Sequence, residues 1–91
     1  APLPASGGAT TSMARLRAVI ERMPGATVVD QRDDYLYARF ETKLLRFVDD
    51  AEFWYDPAAQ AIQVRSASRL GRKDFGVNRA RIEAIREKLL H

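Results

Sequence analysis

The chain has 91 residues, 46% hydrophobic and 30% charged, with 15 Lys+Arg against 12 Asp+Glu for a net charge of +3. That balance fits a single globular domain and excludes both disorder over most of the length and an apolar run of about 20 residues able to cross a membrane. There is no cysteine, which removes disulfides, thiolate metal sites and a cysteine nucleophile, and the one histidine, His91, is the last residue.

The first stretch, Ala1-Pro2-Leu3-Pro4-Ala5-Ser6-Gly7-Gly8-Ala9-Thr10, is small, uncharged and rich in proline and glycine. It lacks the basic start and apolar core of a signal peptide. Residues 1–11 read as a flexible linker at the cut end of a longer polypeptide, and 12–91 as a single α+β domain; nothing in them assigns a compartment. Ser12 is then a plausible N-cap for a helix over 13–23, whose Met13, Leu16, Val19, Ile20 and Met23 fall on one stripe. Pro24-Gly25 ends it.

Ala26–Val29 reads as a short strand and Asp30–Asp34 as a polar turn. From Tyr35 to Thr42 the pattern has period two, with Leu36, Ala38 and Phe40 on one side and Tyr35, Tyr37, Arg39 and Glu41 on the other. Lys43–Arg46 is ambiguous between a bulge and a turn. Phe47–Tyr55 and Ala61–Arg69 follow as two more alternating strands. A four-residue loop, Pro57–Gln60, sets Asp56 opposite Ala61 and fixes the register between them. Tyr55 then meets Ile62, Phe53 meets Val64 and Ala51 meets Ser66 on one face; Trp54 meets Gln63, Glu52 meets Arg65 and Asp50 meets Ala67 on the other. Apolar meets apolar and acid meets base, and a slip of one residue destroys both matches.

After a loop from Leu70 to Gly76, Asn78 is a good N-cap for a helix over 78–90 with Ile82, Ile85 and Leu89 inward. The predicted fold is therefore α+β: helix, four-stranded antiparallel meander, helix, in two layers with both helices on one sheet face. Leu16, Ile20, Phe40, Phe53, Val64, Ile82, Ile85 and Leu89 form its expected core. The other face carries Tyr35, Tyr37, Arg39, Glu52, Trp54, Arg65, Ala67 and Arg69.

Candidate chemistry concentrates in the last third. Residues 1–63 hold 7 basic and 9 acidic side chains, net −2, whereas 64–91 hold 8 basic and 3 acidic, net +5. Arg65, Arg69, Arg72, Asn78 and Arg79, with the free N–H groups of a helix start, make a candidate site for an anion or a partner. The competing structural reading makes Asp49, Asp50, Glu52 and Asp74 the ion-pair or capping partners of that same stretch, with Arg69 and Arg79 bound to Asp49 or Asp50. Alternation separates Asp49 from Asp50 and Glu52, so the three do not converge on one metal ion, and no metal or cofactor is expected. Ser66 and Ser68 have no internal histidine to activate them. The excess of positive charge is small for a nucleic-acid binder, which makes nucleic acid a poor candidate partner.

Three runs, Phe47-Val-Asp-Asp-Ala-Glu-Phe53, Arg65-Ser-Ala-Ser-Arg-Leu-Gly71 and Asp74-Phe-Gly-Val-Asn-Arg79 with Arg81, resemble the signature of domain of unknown function 1499, a family of bacterial and plant plastid proteins. The resemblance spans about residues 10–90 and implies no reaction. The residues themselves favour a non-catalytic binding or assembly module that engages a protein or a small anionic ligand. The rival is an enzyme or enzyme subunit acting on an anionic substrate through Asp50, Glu52, Arg65 and Arg69.

Overall fold

A computed structural model describes residues 2–5, 7–42, 47–69 and 76–90. The elements in order are β1 (Leu3–Pro4), α1 (Gly8–Glu21), β2 (Ala26–Arg32), β3 (Tyr35–Glu41), β4 (Val48–Asp56), β5 (Ala61–Ser68) and α2 (Val77–Leu90). The strands form one antiparallel sheet in the order β1-β5-β4-β3-β2. The α+β class and the antiparallel meander from β2 to β5 agree with the sequence reading. The strand count does not: among the described residues there are five strands, and the additional one lies in the stretch read as a linker.

The reason for the fifth strand is local. Arg69 N–H donates to Val48 O (3.1 Å), and partners alternate from that pair along β4 and β5. Odd-numbered β5 residues therefore bond β4, while even-numbered ones turn their peptide groups to the other edge. Leu3 pairs with Ile62 on that edge, where its N–H can be used. Pro4 faces Ala61, so its nitrogen points away and no donor is lost. The Leu3 side chain is fully buried.

Helix α1 starts at Gly8, earlier than the predicted Met13, after Gly7 in the left-handed region (φ 80°). Ser12 is not its cap but a buried residue inside it. The helix gives way at Arg22, and Gly25 takes φ 76°. A Cβ there would stand 2.1 Å from Glu41 O, and Gly25 O accepts from Glu41 N–H (2.9 Å). The helix exit is thus stitched to the end of β3, at a distance only glycine permits.

Every β4–β5 pair has the register deduced from the four-residue loop. Strand β2 is longer than expected and contains a bulge: Val28 pairs with Ala38, but Asp30, not Val29, pairs with Tyr37. Without the extra residue, Asp30 would oppose buried Leu36. The bulge moves this charge to the outer face and leaves Val29 exposed.

One apolar cluster joins Leu3, three α1 residues (Met13, Leu16, Ile20), the strand residues Leu36, Ala38, Phe40, Ala51, Phe53 and Ile62, and two α2 residues (Ile85, Leu89). Val64 and Ile82, expected in the core, are partly buried and pack against its margin. Polar ties cross the same layer. Arg17 donates to Gln31, and Arg15 donates to Leu89 O (2.7 Å).

Candidate functional site

On β3 and β4, side chains that avoid the core emerge on the opposite face, and the register sets them in rungs. Tyr35 lies beside Trp54 and Gln63, Tyr37 beside Glu52 and Arg65, and Arg39 beside Asp50 and Ala67. Hydrogen bonds then run along the diagonals as well as across. Tyr35 Oη donates to Glu52 Oε2 (2.7 Å), whose Oε1 accepts from Arg65 Nη2. Tyr37 Oη donates to Asp50 Oδ1. Arg69 grips Asp50 through Nε (2.8 Å) and Nη2 (3.0 Å), and its Nη2 also reaches Tyr37 Oη (3.3 Å). The result is two adjacent tyrosine–carboxylate–arginine triads, Tyr35–Glu52–Arg65 and Tyr37–Asp50–Arg69. A two-residue step relates them on β3 and β4, and a four-residue step on the third strand, because Ala67 occupies the intervening position.

This pairing sets the electrostatics. The Arg65 hydrogen bond and then that of Tyr35 hold the Glu52 carboxyl below its ordinary range. For Asp50 the Arg69 bond leads, against some desolvation. Tyr35 is pushed up, first by its bond to Glu52. Both arginines hold their protons more tightly than usual because each carboxylate bonds the charged form. The carboxylates are therefore ionised and saturated with donors at neutral pH, which makes them poor proton donors. Trp54 stands at the end of this face, 38% exposed. Tyr35, Tyr37, Asp50, Glu52 and Arg65 line an open depression of about 470 Å³.

Asp49, one residue away from Asp50, points to the other side and is 3% exposed. Its partner is Arg81 of α2, through Nη1 to Oδ2 (3.1 Å). The same Nη1 donates to Asn78 Oδ1 (2.7 Å), and the guanidinium lies 4.5 Å from the centroid of the Phe40 ring. Asn78, predicted as a cap, thus lies within α2 and orients Arg81. Of the ion pairs predicted for Asp49 and Asp50, Arg69–Asp50 is present, but Asp49 is held by Arg81 and not by Arg79.

The sequence-predicted residues accordingly separate. Arg65 and Arg69 share the outer face with Asp50 and Glu52. Asn78 joins Asp49 beneath the sheet, and Arg79 is exposed on α2. Arg72 and Asp74 lie outside the described residues, as does the segment 43–46. Sequence reasoning placed Tyr35 and Tyr37 on the right face but did not make them site residues. The clue was the matched two-residue spacing of the tyrosines and the acids. For Arg81 it was the three-residue step from Asn78, which puts both on one side of a helix.

Among the described residues, no group of three or more His, Cys, Asp or Glu could hold a metal ion. None of the described helices is long and apolar enough to cross a membrane. Fold and site thus define an α+β domain with a charge-paired, tyrosine-bearing sheet face. The chain belongs to the family described as protein of unknown function (DUF1499), which matches residues 1–89. No curated protein and no solved structure matches it.

Proposed function

We propose that this domain is a non-catalytic binding or assembly module whose recognition surface is the sheet face bearing the two triads and Trp54. The frame is a two-layer arrangement with both helices on the other face, and the apolar cluster shared by α1, α2 and the inward strand residues supports it. One observation carries the functional reading: Asp50 and Glu52, the carboxylates at the centre of the face, are each already bonded by an arginine and a tyrosine. A face neutralised within itself offers shape, aromatic surface and fixed hydrogen-bonding groups. Asp50 and Glu52 are both held below their ordinary range by these partners, which does not suit either to the role of a general acid. Rigid tyrosine and tryptophan with arginine is also the composition that protein interfaces favour at their centre.

The test is a photo-cross-linker at position 54 in the protein's native host, compared with one at exposed Glu21 on α1. A discrete protein adduct specific to position 54, lost on Glu52→Arg, is the expected result. Equal labelling from both positions would overturn it.

The second reading, an enzyme or enzyme subunit acting on an anionic substrate through Asp50, Glu52, Arg65 and Arg69, draws on the open depression beside Glu52 and Arg65. It requires the ligand to displace Asp50 and Glu52 from their arginines. Titration with inorganic phosphate separates the two. Saturable, salt-sensitive amide shifts at Arg65 and Arg69 would favour the anion site, and unchanged spectra the module.

A further inference from the structure

The internal neutrality of the outer face stops at Arg39. Among the described residues, the carboxylates at outward strand positions all have partners. Asp30 pairs with Arg32, Asp50 with Arg69 and Glu52 with Arg65. Asp56 accepts from the Ala58 and Ala59 N–H groups and from Gln63, and Glu41 is engaged as well. Arg39 is half-buried, yet it forms no hydrogen bond or ion pair among the described residues. Asp50 stands beside it in the register, but both Asp50 oxygens are taken by Arg69 and Tyr37. Arg39 therefore acts on Asp50 only through space. The ends of this rung, Thr27 and Ala67, are short and exposed. Ala67 also lines the open depression of about 470 Å³.

We infer, on the reading of the outer face as the recognition surface, that its Arg39 rung receives an acidic side chain, aspartate or glutamate, of the partner protein. Three observations specify that occupant. The first is charge complementarity. Among the described residues Arg39 is the outward strand cation left over once the carboxylates are matched. An opposite charge brought by a partner fixes register and disfavours wrong partners. The second is availability. A ligand on Arg65 or Arg69 has to break an existing pair, whereas a carboxylate at Arg39 displaces nothing. A guanidinium can also take a carboxylate through two parallel bonds. The third is spacing. Trp54, 38% exposed, shares a rung with Arg32, Tyr35 and Gln63. That rung lies four strand residues from the rung of Arg39, a distance of about 13 Å. An extended partner segment thus meets both points with an acidic and an apolar residue four positions apart.

The first test combines the photo-cross-linker at position 54 with Arg39→Gln or, on α1, with Arg22→Gln. Arg39→Gln breaks no bond and keeps most of the side-chain stem, so the variant should fold. It should cut the protein adduct by about tenfold, and Arg22→Gln should leave the adduct in place. An adduct unchanged by Arg39→Gln, or weakened equally by Arg22→Gln, would overturn the acidic occupant and leave the recognition surface standing. Absence of any adduct specific to position 54 would remove both. An adduct with a second copy of the chain would also overturn the inference. The second test uses a defined probe, the blocked peptide Glu-Ser-Gly-Ser-Leu. At millimolar concentration it should give saturable shifts at the Arg39 amide and the Trp54 indole N–H, and Arg39→Gln should abolish them. No shifts from this peptide, or equal shifts from Gln-Ser-Gly-Ser-Leu, would refute the assignment.

Discussion

Asp49 and Asp50 are adjacent acids with opposite assignments. Strand alternation sends one beneath the sheet to Arg81 and the other to the exposed Tyr37–Arg69 grip. The inner pair is the costly one to break, because removing one partner leaves a buried charge without its counter-ion. Asp49→Ala should therefore lower stability by about 3–5 kcal/mol in urea melts. Asp49→Ala combined with Arg81→Met should recover part of that loss. The outer pairs respond to pH. Both carboxyls are depressed on folding, so their contribution is complete above the ordinary carboxylate range of about pH 4–4.5. It is lost as pH falls through the depressed folded values. Carboxyl NMR titration should find the midpoints of Asp50 and Glu52 below that range, and Arg69→Met should return Asp50 upward. Tyr35 has the opposite sign: raised on folding, its contribution is present below about pH 10 and fades as pH climbs through the folded value.

Elements meet at points where a single residue type is admissible. Gly25 combines a positive φ with a backbone oxygen 2.1 Å from where a Cβ would stand. Gly25→Ala should cost about 1–3 kcal/mol in thermal or urea unfolding, and the disturbance should appear in the amide shifts at the end of β3. The β2 bulge is a second such point, and composition does not announce it. Ala26–Val29 looks like a complete short strand followed by a charged turn. Continuation through Asp30 becomes favourable only when the bulge turns that aspartate away from Leu36. The β4–β5 hairpin, by contrast, is written in its own residues. Its loop length and two faces of matched partners permit one register.

For the whole molecule, the notable contribution comes from the ends. Leu3 closes the core against Ile62, and α2 brings Ile85 and Leu89 to the same cluster. Leu3→Ala should therefore destabilise the domain by about 2–5 kcal/mol, the range for a buried leucine. Equilibrium unfolding measures it directly, and a change within about 0.5 kcal/mol, as for an exposed residue, would contradict the fifth strand.

The class of fold, the inward faces of β3, β4 and β5, the hairpin register and the outer face with its acids and arginines were all legible in the sequence, because period-two alternation and a short loop are local properties. The fifth strand, the Asp49–Arg81 pair and the two tyrosine triads were decided by tertiary structure. Leu3 is one apolar residue between prolines and has no period of its own; the exposed edge at Ile62 makes it a strand. Arg81 and Asp49 are 32 residues apart, and any of several arginines satisfied Asp49 until the packing of α2 selected one. Tyrosine hydroxyls reach the carboxylates on a diagonal, a geometry that exists only once neighbouring strands are paired and twisted.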